Sequence, residues 1–130
     1  MAGYLKITHR ESGRVLDGKG TSDEVFLNEW NSGDYQQWTI EELNDGWSRI
    51  NHKESGRVLD GKGNSDEVFL NEWNAGDYQQ WKVEKLDHDF VKITHKESGR
   101  VLDGKGASDE VFLNEWNAGP YQEWLVDPLE

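Results

Sequence analysis

Short runs of alternating hydrophobic and polar residues follow one another along the chain. The first run, residues 4–9, places aromatic and β-branched side chains at a period of two, which predicts a half-buried β-strand. A tight turn at residues 11–13 contains a glycine, which supplies an otherwise strained φ. The next run predicts a second strand over residues 14–17, with Leu16 facing inward and Asp17 facing outward.

The same alternation continues through a third and a fourth strand. A glycine-rich loop, residues 18–23, leads into the run Val-Phe-Leu-Asn at residues 25–28. Because neighbouring side chains point to opposite faces of a strand, the valine and the leucine share one face, and the phenylalanine and the asparagine share the other. A second turn signal, Asn-Ser-Gly, lies in residues 31–34, and the fourth strand is predicted over residues 38–43.

This pattern of four strands occurs three times without a gap. Residues 11–38, 54–81 and 97–124 start 43 residues apart, and 24 of their 28 positions carry the same residue. One repeat is too short to hold a core alone, so we expect the three to share one core. The positions that differ are Thr21/Asn64/Ala107, Ser32/Ala75/Ala118, Asp34/Asp77/Pro120 and Gln37/Gln80/Glu123.

Strand and turn spacing, with no segment of clean helical period, predicts an all-β barrel or sandwich in one domain, residues 1–130. Three equal units of four strands, roughly residues 1–44, 45–87 and 88–130, would leave no exposed sheet edge if they closed around one axis. The predicted core comprises Ile7, Leu16, Val25, Leu27, Trp38, Ile40 and Leu43 and their equivalents in the other two repeats.

Charge and composition narrow the classes of partner. The formal net charge of −12 argues against nucleic acid and anionic membranes, since both attract clustered Lys and Arg. No apolar run approaches the roughly 20 residues that span a bilayer, so no membrane insertion is expected. The chain has no cysteine and would fold without disulfides in a reducing cytosol. No signal-peptide pattern follows Met1, so we expect a cytoplasmic protein, or one released without a signal peptide, as a monomer or weak dimer.

The repeated motifs resemble those of the ricin B-type β-trefoil lectins. Each copy has a Leu-Asp pair after Ser-Gly, a Val-x-Leu strand, an Asn-x-Gly turn and a Gln-x-Trp triplet, the last at residues 36–38, 79–81 and 122–124. The lack of cysteine and the short spacing are most similar to family members of the actinohivin type. The resemblance implies a pseudo-threefold β-trefoil lectin with one shallow sugar site per repeat. It also implies galactose or N-acetylgalactosamine, the commonest ligand of the family, slightly ahead of mannose.

Each repeat carries the residue types that such a site needs. Sugars present paired hydroxyl groups and one apolar face, so a site requires a carboxylate or amide beside an aromatic ring. By the resemblance, Asp17 would accept hydrogen bonds from two adjacent hydroxyls, Gln36 would hold Asp17, and Asn31 or Tyr35 would complete the polar contacts. The candidate carbohydrate-binding residues are Asp17, Phe26, Asn28, Trp30, Asn31, Tyr35 and Gln36, then Asp60, Phe69, Asn71, Trp73, Asn74, Tyr78 and Gln79, then Asp103, Phe112, Asn114, Trp116, Asn117, Tyr121 and Gln122.

Several of these residues have a structural alternative. Asp17 could cap a turn, and Gln36 could serve the fold as much as the site. Many relatives carry the stacking aromatic at the position of Asn28, so here Phe26 or Trp30 must supply the apolar face, or the site is more polar. In disulfide-bearing relatives a cysteine pair tends to occupy the positions of Val15 and Trp30, so Trp30 could stack on a sugar or only fill that space.

Two sets of repeated residues have side chains of the kind that bind metal ions. The equivalent histidines His9, His52 and His95 could bind a transition metal, but hydrogen-bonded strand ends are favoured. The pair Asp23-Glu24 lacks the spacing of a known calcium loop and is favoured as a solvated acidic rim. We therefore expect no metal and no cofactor.

Catalysis is not expected, because every prominent carboxylate comes in threes and no nucleophile or phosphate-loop motif occurs. The sequence thus predicts a multivalent lectin. One alternative is a designed or consensus symmetric scaffold with little or no natural ligand. Another is the receptor-binding part of a larger toxin or glycosidase.

Overall fold

The computed structural model describes residues 3–129. Those residues form twelve β-strands and four 3-10 helices of three residues each. None of the helices in the described part of the chain has the length and apolar character needed to cross a membrane. The strands are β1 Leu5–His9, β2 Val15–Gly18, β3 Val25–Asn28, β4 Trp38–Glu42, β5 Ser48–His52, β6 Val58–Gly61, β7 Val68–Asn71, β8 Trp81–Lys85, β9 Val91–His95, β10 Val101–Gly104, β11 Val111–Asn114 and β12 Trp124–Pro128. The 3-10 helices are Asp34–Gln36, Asp77–Gln79, Asp87–Asp89 and Pro120–Gln122.

Six of the strands close into a barrel. Strand β1 pairs with β4, β4 with β5, β5 with β8, β8 with β9, β9 with β12, and β12 returns to β1, always antiparallel. The other six strands form three hairpins, β2–β3, β6–β7 and β10–β11. This is the threefold β-trefoil arrangement that the sequence predicts, with strand ends within one residue of the expected positions at most sites.

Within the barrel, strand pairing between repeats is more extensive than strand pairing inside one repeat. Strands β4 and β5 share five residue pairs, from Trp38↔His52 to Glu42↔Ser48, whereas β1 and β4 of the same repeat share only Leu5↔Trp38. The seam between β12 and β1 also has five pairs and joins the two ends of the chain. Each repeat therefore depends on its neighbours for most of its barrel hydrogen bonds, as expected for a unit too small to fold alone.

The barrel core contains most of the residues that the alternating pattern predicts. Ile7, Leu16 and Trp38 have no exposed surface, and Val25 and Leu27 are buried as well, in all three repeats. The indole Nε1 of each core tryptophan donates to a strand carbonyl, 3.0 Å from Trp38 to Leu16 O. The apolar rings are buried, and each indole N–H keeps a hydrogen-bond partner, so burying this polar group carries no desolvation penalty.

Two predicted core positions are only partly buried. Ile40 and its equivalents Val83 and Val126 pack against the edge of the core cluster. Leu43 lies beyond the end of β4, where its backbone N–H bonds Trp47 O at 2.7 Å, so its side chain sits in the connection to β5 and is half-buried. The strand is one residue shorter than the alternation predicts, because the turn takes over the backbone hydrogen bond at this point. Leu86 N bonds Phe90 O at 2.6 Å in the same way, and Leu129 N bonds Tyr4 O at 2.9 Å across the seam between β12 and β1; both side chains are half-buried.

The three hairpins are tied together around the pseudo-threefold axis. Leu27 N donates to Asp109 O at 2.9 Å, Leu70 N to Asp23 O at 2.8 Å, and Leu113 N to Asp66 O at 2.9 Å. Between the hairpins lies a cavity of about 420 Å³, lined by residues 23–26, 66–69 and 109–112.

Replacement of Trp38 by alanine tests its role in the core. We expect Trp38→Ala to lower the free energy of unfolding by about 3–5 kcal/mol, because it leaves a large cavity and an unpaired Leu16 carbonyl. Urea unfolding measures the loss. Trp116→Ala is the matched control, since Trp116 is 36% exposed and should lose far less. Equal losses in the two variants would contradict the assignment of Trp38 to the core.

Candidate functional site

The Gln-x-Trp triplet begins at the end of a 3-10 helix and forms hydrogen bonds to strand β2. Gln36 Nε2 donates to Asp17 Oδ2 at 2.8 Å and to Glu29 O at 2.7 Å, while Gln36 Oε1 accepts from Asn31 N at 2.7 Å. The side chain has no exposed surface, and its three contacts satisfy most of its amide. The equivalent distances from Gln79 to Asp60 and from Gln122 to Asp103 are 2.8 Å and 2.9 Å.

Asp17 is buried, although the sequence predicts that it faces outward. The carboxylate lines a pocket, as expected for the face opposite Leu16, but the residue is only 4% exposed. The reason is that two amides cover it: Asn28 Nδ2 donates to Oδ2 at 3.0 Å, in addition to the bond from Gln36. Because both donors bind Oδ2, the second oxygen, Oδ1, is left for another donor.

Each repeat has one pocket beside this carboxylate. The three pockets have volumes of about 310, 540 and 400 Å³ in chain order. We call them the first, second and third pockets. The first is lined by Asp17, Gly18, Lys19, Gly20, Thr21, Phe26, Asn28, Asn31 and Tyr35. The others are lined by the equivalent residues, and the second also by Glu97.

The structure brings most of the predicted site residues together. Asp17, Phe26, Asn28, Asn31 and Tyr35 and their equivalents line the pockets. Gln36, Gln79 and Gln122 lie beneath the pockets and position the carboxylates. Phe69, Asn71, Asn74 and Tyr78 line the second pocket, and Phe112, Asn114, Asn117 and Tyr121 line the third.

The predicted tryptophan is not among the pocket residues. Trp30 lies beside a strand of the barrel, with Lys6 Nζ 4.8 Å from its ring centroid. Trp73 has Arg49 at 4.7 Å and Trp116 has Lys92 at 4.6 Å in the same arrangement. In every repeat, this tryptophan therefore lies against a cationic side chain of a barrel strand and not in the pocket beside the carboxylate.

The glycine-rich loop supplies a pocket wall that was not among the predicted site residues. A Cβ built on Gly20 would lie 2.5 Å from Tyr35 Cε1, closer than real Cβ contacts allow. The loop backbone therefore rests directly against the tyrosine ring, and only glycine permits that approach. The signal in the sequence is the pair of glycines that follows the Leu-Asp motif in each repeat.

A buried histidine supports each pocket from the neighbouring repeat. His52 Nε2 lies 2.9 Å from Tyr35 O, and its Nδ1 lies 2.8 Å from Ser55 Oγ. A carbonyl can only accept, so Nε2 carries the proton and Nδ1 accepts from the serine hydroxyl. The ring also packs 4.8 Å from Trp38. His95 contacts Tyr78 and His9 contacts Tyr121 in the same way.

These contacts identify the three histidines as hydrogen-bonded strand ends, the favoured expectation. Nε2 carries a proton and the lone pair of Nδ1 accepts from the serine hydroxyl, so both ring nitrogens are engaged in hydrogen bonds. Burial lowers the pKa of His9, His52 and His95 below the ordinary value, and the hydrogen bond to the tyrosine carbonyl opposes this only in part.

The acidic loop residues Asp23 and Glu24 are exposed, as predicted for a solvated rim. Glu24 Oε1 lies 3.3 Å from Lys19 Nζ. Within residues 3–129, no group of three or more His, Asp or Glu side chains is arranged to hold a metal ion.

Comparisons with known proteins agree with this fold. A family model described as the ricin-type beta-trefoil lectin domain matches residues 3–124. The designed threefold-symmetric protein ThreeFoil is similar with a TM-score of 0.92 at 30% sequence identity, and the match covers 98% of this chain and 100% of ThreeFoil. SeviL, solved bound to asialo-GM1 saccharide, is similar with a TM-score of 0.81 at 19% identity, over 97% of each chain.

A longer protein contains a similar body. An exo-β-1,3-galactanase from Clostridium thermocellum matches with a TM-score of 0.89 at 20% identity, over 99% of this chain but only 31% of the galactanase. No curated protein sequence matches the chain.

The buried histidines make stability depend on pH. Their folded pKa is lowered, so the stability they contribute is complete above the unfolded pKa of about 6.5 and is lost as the pH falls through the folded pKa. We expect the free-energy difference between wild type and His9→Gln/His52→Gln/His95→Gln to shrink as the pH falls from about 7.5 to about 5. Urea unfolding at each pH measures it.

The comparison with glutamine variants cancels the titration of the many carboxylates, which both proteins share. His88→Gln, at an exposed position, is the control and should retain the wild-type pH dependence. A free-energy difference that stays constant with pH would contradict the assignment of these histidines as buried and neutral.

Proposed function

The chain belongs to the ricin-type β-trefoil lectin family, and on that premise we propose that it is a carbohydrate-binding protein with one sugar site in each of its three pockets. The observation that carries the proposal is the state of the Asp17 carboxylate. Its Oδ2 is held by two amide donors, while Oδ1 is left to accept from a ligand at the pocket. An acceptor fixed before the ligand arrives loses little freedom on binding.

Aromatic rings complete the proposed site. Phe26 and Tyr35 both line the first pocket, and Tyr35 is 44% exposed. The apolar C–H face of a sugar packs against such a ring while its hydroxyls turn toward the carboxylate. Trp30 lies outside the pocket, so we assign the apolar contact to Phe26 and Tyr35. Asn28 takes a polar role instead, because it orients Asp17.

We propose galactose or N-acetylgalactosamine as the preferred sugar over mannose. The axial 4-hydroxyl of galactose gathers several C–H bonds on one face of the ring, which suits a wall formed by Phe26 and Tyr35. Its neighbouring 3-hydroxyl can then share the Asp17 carboxylate. Titration with methyl galactoside and methyl mannoside, monitored by calorimetry, compares the two, and tighter binding of mannoside would reverse the choice.

The number of pockets favours clustered glycans as partners. A single shallow pocket should bind a monosaccharide weakly. Three pockets on one rigid barrel can raise avidity for a branched or clustered glycan by about 10²–10⁴ without any new contact.

We propose that the chain acts by binding alone. Glycoside hydrolysis generally needs two carboxylates that face one glycosidic bond. Among the described residues that line the first and third pockets, Asp17 and Asp103 are the only carboxylates. The second pocket adds Glu97, but this glutamate occurs in every repeat, as Glu11, Glu54 and Glu97, whereas catalysis rarely needs three copies of a residue.

A second candidate is a designed or consensus symmetric scaffold with little or no natural ligand. It is favoured by the identity of 24 of 28 positions across the repeats and by the similarity to the designed protein ThreeFoil. A glycan array separates the two candidates: a folded protein that binds no glycan would support the scaffold.

A third candidate is a sugar-binding module of a larger protein. The match to only 31% of the galactanase favours it, because a similar body there is one part of a longer chain. Fusion of this chain to a hydrolase domain, followed by assay on an immobilised glycan, would test whether it increases activity on the bound substrate.

Substitution of the three carboxylates tests the proposed sites. In Asp17→Asn/Asp60→Asn/Asp103→Asn, the asparagine oxygen can still accept from the buried amides, so we expect the fold to persist. The atom that faces the pocket becomes a donor, so sugar binding should weaken at least about tenfold, as expected for the loss of a charged acceptor. Calorimetric titration with methyl galactoside measures the change.

The matched control carries the same change at three equivalent exposed positions, Asp23→Asn/Asp66→Asn/Asp109→Asn, which lie outside the three pockets. It should bind as the wild type does. Wild-type affinity in the first variant would refute the role of the carboxylates.

A further inference from the structure

Residue type varies among the three pockets at a single shared lining position, and the second pocket is lined by one further residue, Glu97. The nine equivalent positions that line all three pockets carry the same residue type at eight. The ninth is Thr21 in the first pocket, Asn64 in the second and Ala107 in the third. The other positions that vary within residues 11–38 and their equivalents, those of Ser32, Asp34 and Gln37, do not line any of these three pockets. Two features therefore distinguish the pockets: the residue type at this position and, in the second pocket, Glu97.

The variable residue is held at a defined place. It follows Gly20, whose backbone rests against the Tyr35 ring. The side chains of Thr21, Asn64 and Ala107 are exposed at the pocket edge. In the sequence, a Gly-Lys-Gly segment separates each of them from the pocket aspartate. Because this residue lines the same pocket as the carboxylate and the tyrosine, it can contact a substituent of a sugar that binds to both.

The chemistry of the three side chains differs in kind. Asparagine offers two N–H donors and a carbonyl acceptor, threonine offers one hydroxyl, and alanine offers neither. The longer side chain does not close its pocket, since the second pocket has about 540 Å³ against about 310 Å³ in the first and 400 Å³ in the third. Asn64 therefore adds hydrogen-bonding capacity without loss of space.

From these observations we infer that the residue at positions 21, 64 and 107 determines specificity, and that it makes the three pockets unequal. The inference rests on the proposed sugar-binding function. The second pocket binds galactose-type sugars with an additional hydroxyl or acetamido group most tightly, the first is intermediate, and the third is weakest. The third pocket contacts such a substituent only through the methyl group of Ala107.

Proteins with a single intact pocket test the inference. Asp→Asn at two of the three carboxylates leaves one pocket, with an expected stoichiometry of one sugar per chain. Calorimetric titration with methyl N-acetylgalactosaminide should give the lowest Kd for the protein that retains Asp60 and the highest for the one that retains Asp103. We expect a ratio of about fivefold, which corresponds to one net hydrogen bond of about 1 kcal/mol.

Exchanging the variable residue tests whether it causes the difference in Kd between the pockets. Ala107→Asn in the third-pocket protein should lower its Kd about fivefold, and Asn64→Ala in the second-pocket protein should raise its Kd by the same factor. Ser32→Ala in the first-pocket protein is the matched control. It introduces the residue of the other repeats at a position outside the pocket, and should leave the Kd unchanged.

The outcomes separate the inference from the proposed function. Three equal Kd values that do not respond to the exchanges would overturn the inference while sugar binding stands. Absence of binding to the intact folded protein, for every sugar on a glycan array, would overturn the proposed function and the inference with it. A lower Kd in the third pocket than in the second would reverse the assigned order and refute it.

Discussion

Hydrogen bonds from the Gln-x-Trp triplet to strand β2 hold each third of the molecule in place. Gln36 reaches the Asp17 side chain, and Trp38 reaches the carbonyl of Leu16, the preceding residue. One triplet therefore fixes the face of the strand that packs in the barrel and the face that lines a pocket. Because both polar groups are fully buried, neither has water as an alternative partner, and loss of either contact would leave unpaired polar atoms in the interior.

The pockets depend on closure of the barrel as well as on their own repeat. His52 of the second repeat donates a hydrogen bond to the Tyr35 carbonyl beside the first pocket, and His9 of the first repeat donates one to the Tyr121 carbonyl beside the third. The third pocket thus relies on a residue near the beginning of the chain, which the β12–β1 seam brings into place. A Cβ on Gly104 would lie 2.8 Å from His9 Nε2, so the strand that bears Asp103 also packs directly on that histidine.

The residues that hold each pocket carboxylate are identical in all three repeats, and they lie apart from the exposed residues that vary between repeats. The residues that hold the Asp17 carboxylate, Gln36 and Asn28, are the same type in every repeat. Three of the varying positions in the first repeat, Thr21, Ser32 and Asp34, have exposed side chains. Substitution at an exposed site costs little stability, so the edge of a pocket can vary while the hydrogen bonds that shape it do not.

The sequence by itself determined the threefold repeat, the strands and the main core positions, because a period of two along a strand states which side chains share a face. Residue types and their spacing also pointed to most of the carboxylate, amide and aromatic residues that line each pocket. Only the tertiary structure decided what covers those faces. It buried Asp17 beneath two amides, placed Trp30 against Lys6 instead of the pocket, and set Thr21 at the pocket edge. The physical reason is that local alternation fixes a side chain's direction, whereas its neighbours come from segments far away in the chain.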